Sequence, residues 1–218
     1  MKSAPLSLIK LPVAGLALFA LAACARQGDI DETGGITAVR SACPVAAVPA
    51  MTGDITLFNP SSSRDASAID VTANITNLRS TCTENASDFY SEATFDVQAR
   101  RTDASAAREV VLPYFSVVVR GGSAVIAKRV GEVRINFAAG QERASATAKA
   151  ASYVDRATAT LPSEIEKKIK QERKAGDADA AIDPLADPEV RAALQRSSFE
   201  LLVGFNLTQD QLRYNATR

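Results

Sequence analysis

The sequence predicts a mainly β protein, an immunoglobulin-like antiparallel β-sandwich with a helical insertion and a short C-terminal helix. Apolar and polar residues alternate over Ile69–Thr76 and again over Phe89–Arg100, as in strands that have one buried and one solvated face. Gly121 and Gly122, which readily adopt positive φ, separate two β-rich runs and predict a hairpin turn. Several short strands separated by regular turns are typical of a sandwich.

The remaining strands follow from the same patterns. Ile55 and Leu57 indicate a first strand, and the successive valines at 117–119 predict a central strand that is buried on both faces. Alternation predicts the last strand, Phe199–Leu207, in which Gly204 marks a bulge or a close backbone approach. The other predicted strands cover residues 114–120, 124–130, 133–137 and 143–154.

Two helical regions are predicted from capping patterns. Ser163 and Glu166 have the spacing of a capping box, and Asp187-Pro188 has an N-cap residue followed by proline. These two signals place a helical insertion at about 161–197. Thr208 and Gln211 repeat the capping-box spacing, so a short helix is expected to end the domain.

The start of the chain has the features of an export signal. Lys2 and Lys10 precede an uncharged apolar run, Leu11–Ala23, that is too short to span a bilayer as a helix. The run ends in Leu21-Ala22-Ala23-Cys24, which resembles the lipobox of bacterial lipoproteins. The resemblance implies a signal peptide over residues 1–23 and acylation of Cys24, for example with palmitate. A plain secretory signal that ends at Ala23 is the alternative.

The resemblance also has consequences for localisation. Residues 24–42 contain several glycines and acids and no apolar period, which predicts a flexible tether ahead of a domain at 43–218. Ala25 stands where lipoproteins retained in the inner membrane carry Asp. The resemblance therefore implies a lipid anchor in the outer membrane, with the domain facing the periplasm.

Two further cysteines are available for a disulfide. In an exported chain, Cys43 and Cys82 are most simply a disulfide pair, which closes a loop of about 40 residues and contributes roughly 4 kcal/mol of stability. A redox or metal role is the alternative, but the pair does not have the C-x-x-C spacing.

Composition excludes several functional classes. The chain has no His, which rules out Ser-His-Asp and Cys-His catalysis and most zinc sites. Lys plus Arg equals Asp plus Glu at 25 each, so the near-neutral chain has no electrostatic footprint for nucleic acid.

Several motifs together resemble a group of uncharacterised alphaproteobacterial envelope lipoproteins. Besides the lipobox they are Cys43-Pro44, Leu112-Pro113-Tyr114-Phe115, Ala127-Lys128 and the ending from Val203 to Asn215. The resemblance covers most of residues 21–217, excluding the insertion. It implies a compartment and an architecture, and it carries no known activity.

Candidate chemical sites are few, and each has a structural alternative. Asp177, Asp179, Asp183 and Asp187 could gather around Ca²⁺, but their spacing is not that of a calcium loop, and a solvated acidic linker is the alternative. Lys128 is a candidate base or a solvent-facing strand residue. Tyr114 and Phe115 are candidates for a ligand groove or for core packing.

The leading functional hypothesis is a non-catalytic binding or structural module that is anchored in the envelope and binds an envelope protein, without catalytic residues, metal or cofactor. A hydrolase that works without His and a carrier of lipids or small ligands are the alternatives. Carboxylate pairs for catalysis can come from distant positions in a sequence.

Overall fold

Two four-stranded sheets face each other in this protein, and the computed structural model describes residues 41–171 and 182–217. One sheet has the order β1-β8-β5-β6 and the other has the order β2-β3-β4-β7. Every pairing is antiparallel except that of β1 with β8. The strands are β1 (Val45–Ala47), β2 (Asp54–Phe58), β3 (Ile69–Glu84), β4 (Asp88–Arg101), β5 (Arg108–Arg120), β6 (Ala124–Phe137), β7 (Arg143–Asp155) and β8 (Phe199–Phe205).

The core lies between the sheets and confirms the predicted β-sandwich. Alternate residues of β4 are buried from Phe89 to Ala99, and those of β8 are buried from Phe199 to Phe205. Each large apolar side chain removed from water contributes roughly 1.5–3 kcal/mol. In the strand order of this sandwich, the hairpins β3–β4 and β5–β6 each remain within one sheet.

The central hairpin follows its sequence signals. Gly121 and Gly122 have φ values of +61° and +76°, and the backbone N–H of Gly121 donates to the carbonyl of Ser198. The valines at 117–119 are all buried in β5, which lies between β8 and β6. The predicted central strand is therefore confirmed.

Four strand boundaries differ by more than one residue from the prediction. β5 begins at Arg108 rather than at residue 114, so Pro113 lies within the strand. β3 continues to Glu84 through a register shift, with Asn77 at a φ of +51°. β6 is one strand rather than two and continues through Gly131. The Tyr114 ring lies over this glycine, and a Cβ there would lie 2.7 Å from the Tyr114 Cζ. β8 ends at Phe205 rather than at residue 207.

Gly204 confirms the predicted close approach. A Cβ there would collide with the Thr52 side chain and would lie 2.9 Å from Phe115 Cε1. The backbone N–H of Phe205 also donates to the carbonyl of Thr52 (2.7 Å). The segment before β2 is thus held against the end of β8.

The predicted disulfide is confirmed and joins the two sheets. Cys43 stands just before β1 in one sheet, and Cys82 lies in β3 of the other. Their Cα atoms are 6.1 Å apart, within the usual range for a disulfide. The bridge holds the entry of the domain against the end of β3.

The helical insertion lies between β7 and β8 and comprises α1 (Arg156–Ala159), α2 (Ser163–Lys170) and α3 (Pro188–Ser197). Ile165 of α2 packs against Val190 and Ala193 of α3 in a small apolar cluster separate from the main core. The insertion therefore has an apolar cluster of its own, which α2 and α3 form together.

Helix caps confirm two predictions and correct a third. Asp187 accepts from the Glu189 N–H at the start of α3, and the Thr208 and Gln211 side chains cap each other's backbone N–H groups at α4 (Gln209–Thr217). The capping box predicted at Ser163 is wrong: Pro162 is the N-cap residue of α2 and provides no side-chain cap. None of these four helices combines the length and hydrophobicity needed to cross a bilayer, within the described ranges.

Arg101 is a buried charge that ties two loops together. It ends β4 and is 2% exposed. Its guanidinium donates to the carbonyl oxygens of Gln141 (2.8 Å), Ala106 (2.6 Å), Ala104 (3.2 Å) and Ala138 (2.8 Å), and it lies over the Phe137 ring. Backbone carbonyls from both loops therefore solvate the cation.

Candidate functional site

The most unusual surface is the first half of β6, residues 124–130, here called the β6 edge segment. Val125, Ile126 and Val130 are 64%, 51% and 59% exposed. Most strands of the sandwich bury at least one face, whereas every residue of this segment is exposed. Three large β-branched residues in water on one strand form an apolar patch, which in soluble proteins often marks an interaction site.

The patch is exposed because of its position in the sheet. β6 is an edge strand and pairs only with β5 in the described part of the chain. Ala127 is opposite Val118 and Arg129 is opposite Ser116, so both point toward the inner side of the sheet, yet both are exposed. An edge strand offers a row of backbone donors and acceptors to a further strand.

Tyr114 marks where the two sheets stop covering each other. Its ring lies over Gly131 and against Phe95, and its hydroxyl donates to the Lys149 carbonyl of β7 (2.8 Å). β6 is buried on alternate residues beyond this point, from Val133 to Phe137, and exposed before it. The tyrosine thus closes the core beside the β6 edge segment.

The β6 edge segment is also basic. Lys128 Nζ lies 5.5 Å from the centre of the Phe115 ring. Across the described residues, neither Lys128, Arg129 nor the neighbouring Arg120 forms an ion pair with a carboxylate. The register shift at Val118 and Val119 leaves Ile126 without a directly opposite residue. Apolar and cationic groups are therefore combined on one free edge.

A second surface is the outer side of the other sheet, here called the polar sheet face. Directly opposite residues of β3, β4 and β7 form rows such as Asn74–Gln98–Ser145 and Thr76–Asp96–Thr147. Such neighbours share one side of the sheet, so the rows make a continuous hydrogen-bonding surface. Tyr90 and Tyr153 stand side by side at one end, with ring centroids 4.9 Å apart.

Hydrogen bonds to neighbouring side chains shift the pKa of several groups on this face. Hydrogen bonds from Asn77 and Thr147 (both 2.8 Å) lower the pKa of Asp96. The hydrogen bond between Lys149 Nζ and Glu92 (2.9 Å) raises the pKa of Lys149 and lowers that of Glu92. These acids are ionised at neutral pH and already have hydrogen-bond partners.

At the other end, the polar sheet face contains an open groove of about 650 Å³, here called the polar groove. Two rows form its floor, Thr72–Arg100–Arg143 and Asn74–Gln98–Ser145, and it extends to Asn136 and Gln141. Arg100 contacts Glu142 at 3.5 Å, whereas Arg143 has no carboxylate partner in the described part of the chain. Among the described residues that line this groove, none is acidic.

The residues singled out from the sequence have these positions. Cys24, the signal peptide, and Asp177 and Asp179 lie outside the described residues. Asp183 and Asp187 cap a short 3-10 turn and α3, each accepting a backbone N–H at 2.8 Å. Within the described ranges, no three or more Cys, Asp or Glu residues are grouped so that they could hold a metal ion.

The side of the sheet on which each residue lies decides between the alternatives for Lys128 and Tyr114. Lys128 is exposed and points to the outer side of the sheet, beside the half-buried Phe115. Tyr114 packs against the core, and so it follows the packing alternative rather than the ligand-groove alternative.

Both surfaces were missed from the sequence for the same reason. Alternation indicates which residues share a face, but not whether another strand covers that face or edge. A signal existed in Ala124–Val130, where Val125 and Ile126 are adjacent and so cannot both point inward. Comparisons of the chain with protein-family models, with curated proteins and with solved structures gave no match.

Proposed function

We propose that the protein is a lipoprotein held at the periplasmic side of the outer membrane through Cys24, and that its sandwich is a non-catalytic binding module. The observation that carries the binding role is the exposed, apolar and basic β6 edge segment. Its partner is an extended segment of another envelope protein that adds a strand to β6 and carries acidic and apolar residues.

Strand addition accounts for the three features of this edge, which are its free backbone groups, its exposed apolar side chains and its cations. A strand paired with residues 124–130 gains main-chain hydrogen bonds from the free edge. Its apolar side chains cover Val125, Ile126 and Val130, and its acids pair with Lys128 and Arg129. A second copy of the same chain fits less well, because two such edges would bring their unpaired cations together.

The anchor and the disulfide support the same compartment. A lipobox needs export, and disulfides persist in the oxidising periplasm. Several acyl chains on one cysteine give far stronger anchoring than one chain, since each buried CH₂ contributes about 0.8 kcal/mol. The binding module would therefore remain close to the membrane, at the end of the 24–42 tether.

Acylation of Cys24 gives the first test. We expect the wild-type protein expressed in a bacterial host to incorporate labelled palmitate and to fractionate with outer membranes, and Cys24→Ser to lose both properties because the acceptor thiol is absent. Cys43→Ser/Cys82→Ser is the control, since it removes the other thiols and should keep the label. Unlabelled wild-type protein released as a soluble form would contradict the anchor and support a plain secretory signal.

The binding edge gives the second test, by site-specific photo-crosslinking in the envelope of the native host. A benzophenone amino acid at Ile126 should yield one discrete adduct, because this side chain projects from the free edge. The same probe at Val111, an exposed residue of β5 in the same sheet, is the matched control and should yield none. Lys128→Glu/Arg129→Glu should reduce the Ile126 adduct about tenfold, as the loss of roughly 1.4 kcal/mol of attraction predicts.

Three outcomes would contradict the edge proposal. They are equal adducts from both positions, an adduct that is insensitive to the charge reversal, and an adduct between two copies of this chain. Turnover of an envelope substrate by the purified protein would instead favour the hydrolase alternative.

A further inference from the structure

We propose that the polar groove binds a carboxylated oligosaccharide. This site is distinct from the β6 edge segment and lies at the β7 edge of the polar sheet face. The inference goes beyond the proposed function, because it assigns a second ligand class to a different surface.

The groove has the size of a small-molecule site but the wrong lining for an apolar ligand. Its volume of about 650 Å³ lies within the range of ligand pockets, which is roughly 300–1,000 Å³. Most pockets of that size are lined by hydrophobic and aromatic side chains. Here the lining is formed by amides, hydroxyls and two guanidinium groups, with alanine as the only apolar residue type.

The lining groups have hydrogen-bonding capacity to spare. The side chains of Gln98, Ser145 and Asn136 are exposed and make no hydrogen bond to another described residue. An amide offers both donors and an acceptor, and a hydroxyl offers one of each. The vicinal hydroxyls of a sugar are also both donors and acceptors, so such an array matches them along the floor.

The positive charge of the groove favours an anionic sugar as the ligand. Arg143 is a guanidinium without a carboxylate partner among the described residues. Its planar, two-pronged donor geometry suits a carboxylate. Two acids lie beside the described lining, and each is already engaged, Glu142 by Arg100 and Asp54 by Asn74. The described residues of the groove lining include no aromatic ring, and so they provide no stacking surface of the kind that a nucleotide base would use.

The rows set the orientation of the ligand. Arg143 and Ser145 lie on β7, and Arg100 and Gln98 lie directly opposite them on β4. A chain of sugars that crosses the strands would place its carboxylate at Arg143 and its hydroxyls over Ser145 and Gln98.

The test is ligand-observed NMR titration of the full chain in detergent with three probes. Trigalacturonate carries carboxylates and hydroxyls, maltotriose carries hydroxyls but no carboxylate, and triglutamate carries carboxylates but no hydroxyl. We expect trigalacturonate to bind at least about tenfold more tightly than either of the others, because each of them lacks one of the two complementary groups.

Variants then locate the site. Arg143→Gln should weaken trigalacturonate binding about tenfold, and Gln98→Ala should weaken it severalfold. Arg79→Gln is the matched control, because Arg79 is exposed on the polar sheet face away from the groove, and it should leave binding unchanged. All three side chains are exposed, and thermal melts of the variants check that the fold is kept.

Equal binding of triglutamate would overturn the proposal, because it would indicate attraction by charge alone and an acidic peptide as the ligand class. No binding of trigalacturonate would also overturn it, as would an effect of Arg79→Gln equal to that of Arg143→Gln. None of these results bears on the acylation or crosslinking outcomes.

Discussion

Replacing Arg101 by methionine is expected to lower the free energy of unfolding by about 2–6 kcal/mol, because each buried carbonyl left without a donor costs roughly 1–3 kcal/mol. Methionine fills much of the same volume but donates no hydrogen bond. The carbonyls of Ala104 and Ala138 keep the backbone N–H groups of Gly140 and Gln141 as donors, whereas those of Ala106 and Gln141 would lose the guanidinium. The loss is large because the acceptors belong to the main chain and remain when the guanidinium is removed.

The neighbouring arginine provides the control. Arg100 is exposed and makes a single ion pair at 3.5 Å, so Arg100→Met should change stability by about 0–1 kcal/mol. Arg101→Lys should fall between the two, because an ammonium keeps the charge but does not reach four carbonyls at once. Urea denaturation of the purified chain measures all three, and equal midpoints for Arg100→Met and Arg101→Met would contradict the role given to Arg101.

Removing the disulfide with Cys43→Ser/Cys82→Ser is expected to lower the free energy of unfolding by about 4 kcal/mol, the chain-entropy value for a loop of this size. The two cysteines are 39 residues apart in sequence, and the loop that they close contains β1, β2 and most of β3. Without the bridge, β1 is held only by its three-residue pairing with β8 and by local packing. We therefore expect the entry of the domain to separate first.

Adding reductant to the wild type separates the loss of the disulfide from any effect of the two serine side chains on stability. Urea denaturation of the wild type with reductant should reproduce the midpoint of the double variant, and reductant should have no effect on the variant itself. A double variant as stable as the oxidised wild type would mean that the bridge adds no stability.

Local patterns predicted much of this fold because their causes are local. The alternation from Phe89 to Arg100 predicted which side chains of β4 are buried, since side chains on a strand point to opposite sides in turn. The Gly121-Gly122 turn and the Thr208/Gln211 cap are likewise set by backbone conformation and side-chain reach over a few residues. The disulfide followed from the small number of cysteines and the predicted export.

The misplaced boundaries show where local patterns fail. Gly131 resembles a strand break, but a ring from the adjacent strand makes glycine necessary within a continuous strand. Ser163 has capping spacing, but the chain enters α2 one residue earlier, at Pro162. At Gly131 the contact with a neighbouring strand outweighs the intrinsic preference of the residue.

By itself the sequence determined the class of the fold and the pairing of Cys43 with Cys82, and it predicts the export signal on which the proposed anchor rests. Only the tertiary structure decided that Arg101 is buried among carbonyls, that residues 124–130 form a free edge and that Arg143 lies beside Gln98 in a groove. The physical reason is that these features depend on which distant strands become neighbours. Strand order determines whether a backbone edge is covered and which charges meet, and it arises from packing over the whole chain, which hydrophobic periodicity does not encode.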